Sequence, residues 1–162
     1  MKIELKNVKH IEHMSEETNC FTASIYIDGK RAGEVSNRGQ GASHDYHPRE
    51  LYQTLDTHAQ TLQSQAWTLN NEPVEIKPCP DSIIDEIMTN HLVGKDLKRA
   101  MSKRILFVRD GAMLETAPAY DRVTLARHLS DPEKLRQRLK ADTILNLLPL
   151  EDAVTFYRKQ GA

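Results

Sequence analysis

A chain of 162 residues, 39% hydrophobic and 28% charged, has an ordinary soluble, globular composition and room for one domain or two very small ones. No run approaches about 18 consecutive apolar residues, and the alternating start Met1-Lys2-Ile3-Glu4-Leu5-Lys6 lacks the apolar core of a signal peptide, so a cytoplasmic, non-membrane protein is expected. Cys20 and Cys79, the only cysteines, form neither a disulfide framework nor a C-x-x-C motif, and Cys20 is expected as a small core residue. The net charge of −1 conceals a division: residues 1–98 carry 10 Lys/Arg against 15 Asp/Glu, residues 99–162 carry 12 against 8. Such a division can orient a partner, but the basic excess is far smaller than nucleic-acid-binding domains usually show.

The chain opens with strand-like alternation in which Ile3 and Leu5 share a face. The phase slips near Asn7, predicting a bulge there. Cys20 to Ile27 is the clearest strand, with Phe21, Ala23, Ile25 and Ile27 on one face. Asp28-Gly29-Lys30 reads as a hairpin turn. A three-residue loop is favoured, because it brings Gly33 and Val35 onto the apolar face.

Pro48 suits a first helical turn, and Leu51, Leu55, His58, Leu62 and Ala66 form a stripe predicting a helix over about 48–66 that packs on the hairpin sheet. Asn70-Asn71-Glu72-Pro73 breaks it, Val74 to Lys77 is a short strand, and Ser82-x-x-Asp85 resembles a capping box for a second helix that Gly94 ends or kinks. Asp110-Gly111 marks a second hairpin between Arg104–Arg109 and Met113–Thr116. Helices follow over roughly 121–129 and 132–140, then a short strand from Thr143 to Leu147. In the last helix Leu150, Ala153, Val154 and Tyr157 form an amphipathic stripe. The expected fold class is α+β: an N-terminal antiparallel hairpin sheet packed by a helix, a second β-hairpin and a helical C-terminal part. A single domain over 1–162 is favoured, with 1–70 and 80–162 as its sub-lobes.

The most chemically dense stretch is Asn37-Arg38-Gly39-Gln40-Gly41-Ala42-Ser43-His44-Asp45-Tyr46-His47-Pro48. Its simplest role is to turn the hairpin into a helix that Ser43, Asp45 or His47 caps, with Tyr46 as a packing staple. Arg38, Gln40, His44 and Tyr46 are then the candidates for contacting a partner. His44 and His47 could alternatively supply two imidazole ligands to a metal, with His10, His13 and His58 as distant contributors. His58 itself is expected to be a hydrogen-bonded core imidazole. The glycines superficially suggest a phosphate cradle, but neither G-x-x-x-x-G-K-[ST] nor G-x-G-x-x-G is present. Ser43-His44-Asp45 cannot form a catalytic triad by adjacency, and no G-x-S-x-G occurs. No catalytic residue and no cofactor is therefore expected. A further basic group, Arg122, Arg127, Lys134, Arg136, Arg138 and Lys140, could meet nucleic-acid phosphates or an acidic protein, its plainer role being a solvated helix face.

The run from Glu16 to Gly33, EETNCFTASIYIDGKRAG, continuing into the Gly39-to-His47 loop, resembles a class of small uncharacterised proteins encoded in bacteriophages and prophages. The resemblance covers roughly the first 50 residues, with a looser echo in the hairpin at 104–116. It implies an accessory protein of a mobile element and carries no active site to these positions. The resulting expectation is a non-enzymatic protein that binds a macromolecular partner and counters or modulates a host defence system. A protein partner leads. A nucleic-acid module built on the basic helices and a metal-dependent enzyme built on His44 and His47 are the alternatives.

Overall fold

The computed structural model describes residues 1–69 and 72–160. The fold is α+β, and its chain divides into two compact units, Met1–Met88 and Thr89–Ala162, at a boundary inside one long helix.

In the first unit a four-stranded antiparallel sheet has the order β1-β2-β3-β4, with β1 Ile3–His10, β2 Cys20–Ile27, β3 Lys30–Arg38 and β4 Asp45–His47. The predicted irregularity in β1 is present: the register shifts between Lys6 and Lys9, and Asn7 takes a φ of 54°. β2 spans the predicted residues and buries Phe21, Ala23 and Ile25, with Cys20 beside them.

The β2–β3 turn is shorter than expected. Ile27 pairs with Lys30, leaving a two-residue Asp28-Gly29 loop whose positive φ angles of 48° and 80° match the twist of the flanking strands. The phase is recovered by a bulge: Tyr26 pairs with Arg31 but Ile25 pairs with Gly33, placing Gly33 and Val35 opposite Ile25 and Ala23 as predicted.

Helix α1 covers Glu50–Ala59, not 48–66, and buries Leu51, Leu55 and Ala59. Its N-cap position is Arg49 and no side chain caps it, so Ser43, Asp45 and His47 do not serve that role. His47 and Asp45 instead belong to β4, which pairs along β3 through Ser36–Asp45, Val35–Tyr46 and Glu34–His47. Gly33 is where these elements converge. A Cβ there would overlap the His47 carbonyl oxygen and approach Leu51 Cδ2 to 2.8 Å. His58 is half-buried, with the Thr61 hydroxyl near its Nδ1, rather than being a core imidazole among leucines. Leu62 is exposed beyond the helix end, and Ala66 lies in a strand.

That strand, β5 (Gln65–Leu69), pairs with β6 (Glu72–Ile76) as a separate two-stranded ribbon. The predicted breakers Asn70 and Asn71 lie outside the described residues. Helix α2, Pro80–Met101, begins two residues before the predicted capping serine. Ser82 Oγ nevertheless accepts from the Cys79 N–H at 2.9 Å, satisfying one of the amides a helix start leaves open.

In the second unit, β7 (Leu106–Arg109) lies between β8 (Ala112–Glu115) and the two-residue β9 (Thr143–Ile144). Asp110-Gly111 forms the expected tight turn. Helices α3 (Arg122–Leu129) and α4 (Pro132–Leu139) follow closely the predicted spans, and in the last helix, α5 (Leu150–Gln160), Ala153 and Val154 of the predicted stripe are buried while Leu150 and Tyr157 are exposed. The expected strand from Thr143 to Leu147 is a strand only over Thr143–Ile144, and Leu145–Leu147 forms a 3-10 turn. The two sides of the sheet feed two clusters: Leu106 and Val108 join Leu97, Leu145, Ala153 and Val154, whereas Ile105 and Phe107 join Leu125, Leu135 and Ile144. Strand alternation accounts for this division, since neighbours in β7 face opposite ways.

Gly94 does not end α2, which runs on to Met101. A Cβ there would make ordinary van der Waals contact with α5, 3.4 Å from Val154 Cγ2 and 3.8 Å from Leu150 Cδ2.

Candidate functional site

The glycine loop of the first unit is built around the side chain of Asn37, which is buried. Its Oδ1 accepts from the Thr18 hydroxyl at 2.9 Å and from the Gly39 N–H at 2.7 Å. Its Nδ2 donates to the Ala42 carbonyl at 2.8 Å and reaches Nδ1 of His44 at 2.8 Å. An amide side chain offers two acceptor lone pairs and two donor hydrogens, and all four are used here. The Gly39 carbonyl in turn accepts from the amides of Glu16, Glu17 and Thr18 at 3.0, 2.9 and 3.3 Å. Loop 37–44 and segment 16–18 are thereby locked together.

This bonding assigns the His44 tautomer. Nδ1 must accept from Asn37, because an amide nitrogen can only donate, so the neutral ring carries its proton on Nε2. Nε2 lies 3.2 Å from Asp85 Oδ1 but off the line of a hydrogen bond, leaving it unsatisfied among the described residues. The His44 side chain is only 3% exposed and stands edge-on to Phe21, with ring centroids 5.3 Å apart. Its backbone N–H donates to Asp81 Oδ2 at 3.3 Å, and the Tyr46 hydroxyl donates to Oδ1 of the same carboxylate at 2.8 Å. Burial, reinforced by that bond to Asp81, raises the Tyr46 phenol well above its ordinary range. Tyr46 also packs edge-on to Tyr52 of α1 at 5.6 Å, so its expected packing role holds without a capped helix beside it.

Of the four residues expected to meet a partner, Arg38 and Gln40 are exposed, His44 is buried and Tyr46 is half-buried. The structure thus separates them into an outer pair and an inner pair. His44 and His47 are not brought together. His47 is exposed and pairs with Glu34, on the sheet face opposite Val35, while His44 is bonded inward to Asn37. His10 is engaged near Ser15 Oγ at 3.3 Å. Among the described residues no group of three or more His, Cys, Asp or Glu is positioned to hold a metal ion.

The outward sheet face was not singled out by the sequence. Cross-strand pairing aligns Lys6, Ser24, Glu34 and His47 in one row and Lys9, Thr22, Ser36 and Asp45 in the next. Apart from Lys6, these rows line a depression of about 620 Å³. Small hydroxyls occupy its middle, Lys9 one rim and carboxylates the other. The signal for it was the polar half of the β2 and β3 alternation, which becomes informative only once pairing is known.

In the second unit, Arg127, Lys134 and Arg138 line one groove of about 380 Å³ between α3 and α4, together with His128 and Asp131. Arg122, Arg136 and Lys140 do not line it. Asp121 caps α3, and the Thr124 hydroxyl, with backbone N–H groups, holds its carboxyl below the usual range. Asp131 caps α4 through the Lys134 N–H at 3.1 Å. Each aspartate stands immediately before its helix, where its carboxylate satisfies amides the helix start leaves open.

Among the described residues no helix is long and apolar enough to cross a membrane. No family model, curated protein or solved structure matches this chain.

Proposed function

We propose that the protein is an accessory protein of a bacteriophage or other mobile element that acts inside the host cell by binding a macromolecular partner, a protein component of host defence being the class its resemblance implies. The reading rests on the resemblance carried by residues 16–33 and 39–47. Geometry supports it through one observation: Asn37 uses all four of its hydrogen-bonding positions to hold the loop, leaving the Arg38 and Gln40 side chains exposed. A surface held in place before binding loses little conformational entropy when a partner arrives, so two side chains on a stiff base bind better than the same pair on a mobile loop. The Arg38 guanidinium adds planar, multidentate recognition of carboxylates.

The test is affinity purification of the tagged full chain from host lysate, beside a double variant Arg38→Glu/Gln40→Ala. A stoichiometric protein retained by the parent chain and lost by the variant supports the proposal. Reproducible absence of such a protein, or equal retention by both chains, overturns it.

A further inference from the structure

We propose that the α3–α4 groove is a binding site for nucleic-acid backbone phosphates, with Arg127, Lys134 and Arg138 as its cationic contacts. The inference concerns the second unit and is independent of the partner-binding proposal. Four observations carry it.

First, two helices aim three cations at one concavity, so the basic residues are not simply scattered over solvated faces. Second, among the described residues neither Arg127 nor Lys134 forms an ion pair, and the single carboxylate in the groove, Asp131, already accepts from the Lys134 N–H. Third, the Arg138 guanidinium is positioned in advance. Its Nη1 lies 3.2 Å from His128 Nδ1, and the His128 ring packs on Tyr120 with centroids 4.9 Å apart. Because arginine can only donate, Nδ1 accepts here, and this bond orients the guanidinium through Nη1. Fourth, Lys134 and Arg138 are one helical turn apart, a rise of about 6 Å. That span covers about two phosphates of a strand carrying one charge per ~3.4 Å of axis.

The chemistry is recognition of a repeating phosphodiester, which DNA and RNA share. It confers affinity without base readout, since phosphate contacts position a chain but do not specify its sequence. Buried Leu135 also lines the groove.

Fluorescence anisotropy of the full chain with a labelled duplex DNA and a labelled single-stranded RNA tests this, with inorganic phosphate and polyglutamate as competitors. Three phosphate contacts on duplex DNA predict a log–log salt slope near −2.7, a loss of about 40-fold in affinity between 50 and 200 mM salt. Each of Arg127→Ala, Lys134→Ala and Arg138→Ala is expected to lower that slope by about one, and the triple variant to abolish binding at 50 mM salt. Arg122→Ala/Arg136→Ala, outside the groove, should retain the parent slope. Whichever of the duplex and the single strand binds more tightly identifies the source of the phosphates. Absence of binding to both at 50 mM salt overturns the proposal. So does an equal loss in the Arg122/Arg136 variant, or displacement by inorganic phosphate or polyglutamate as effectively as by unlabelled oligonucleotide. Circular dichroism of each variant separates a lost contact from a lost fold, and Arg138→Lys, which keeps the charge but not the fork that meets His128, should weaken binding less than Arg138→Ala.

Discussion

The Asn37 side-chain amide donates to Nδ1 of His44 across 2.8 Å, and this single bond joins the end of β3 to the residue just before β4. It explains why a loop rich in glycine and histidine needs neither metal nor substrate to account for its composition. Asn37 is the hub, His44 is an acceptor on it, and Arg38 and Gln40 are left pointing outward.

Asn37→Asp is the sharpest test of that hub. The substitution preserves shape and both acceptor functions but removes the two donors that Ala42 and His44 use. A buried acceptor left without its donor costs about 1–3 kcal/mol, so a loss of about 3 kcal/mol is expected in denaturant unfolding at unchanged m. A near-neutral effect would mean that the amide network contributes little.

Gly33→Ala should destabilise the first unit. The added Cβ meets the His47 carbonyl and the Leu51 side chain, both held in place by the strand and helix that carry them. Overpacking of this kind costs about 1–3 kcal/mol. Thermal melting distinguishes this from Gly29→Ala, where nothing lies within 4 Å of the new Cβ and only the positive φ is strained.

The second unit predicts the opposite sign at Gly94. Alanine gains up to about 1 kcal/mol over glycine in a helix interior, and its Cβ at 3.4 Å from Val154 fits with a small adjustment. Gly94→Ala is therefore expected to stabilise by about 0.5 kcal/mol, whereas Gly94→Leu should destabilise by forcing α5 away. Destabilisation by Gly94→Ala would contradict the fit of a Cβ at this position.

Tyr46 gives an alkaline signature. Its folded phenol titrates above the ordinary value of 10.0, because burial and the Asp81 carboxylate both oppose phenolate. The contribution is therefore fully present below about pH 10 and declines as pH rises through the folded value. Tyr46→Phe should lose about 1–2 kcal/mol at pH 8 through the Asp81 bond, yet show a smaller decline above pH 10 than the parent chain. Parallel stability–pH curves would contradict this.

Local pattern was enough wherever an element is decided by its own residues. β2 follows from strict alternation, and the 110–111 turn from Asp-Gly. Elements that depend on distant partners were misjudged. β4 is three residues long and polar at both ends, so only its pairing with β3 makes it a strand. Leu62 and Ala66 continue the period of α1 without belonging to it. In the first hairpin, a two-residue turn plus a bulge yields the same facing residues as a three-residue turn, so alternation could not separate them. The candidate site divided along similar lines. Arg38 and Gln40 were correctly placed as exposed, but the withdrawal of His44 and Tyr46 depends on Asn37 and on Asp81, the latter 37 residues from His44.

In the proposed division of roles, inner residues hold the loop while Arg38 and Gln40 meet the partner. Comparing partner retention and melting temperature for Arg38→Glu/Gln40→Ala beside the parent chain tests it most directly. The account predicts a melting temperature within about 2 °C of the parent, as exposed substitutions usually cost under 0.5 kcal/mol, together with loss of the partner. Retention of the partner at parental stoichiometry would contradict it.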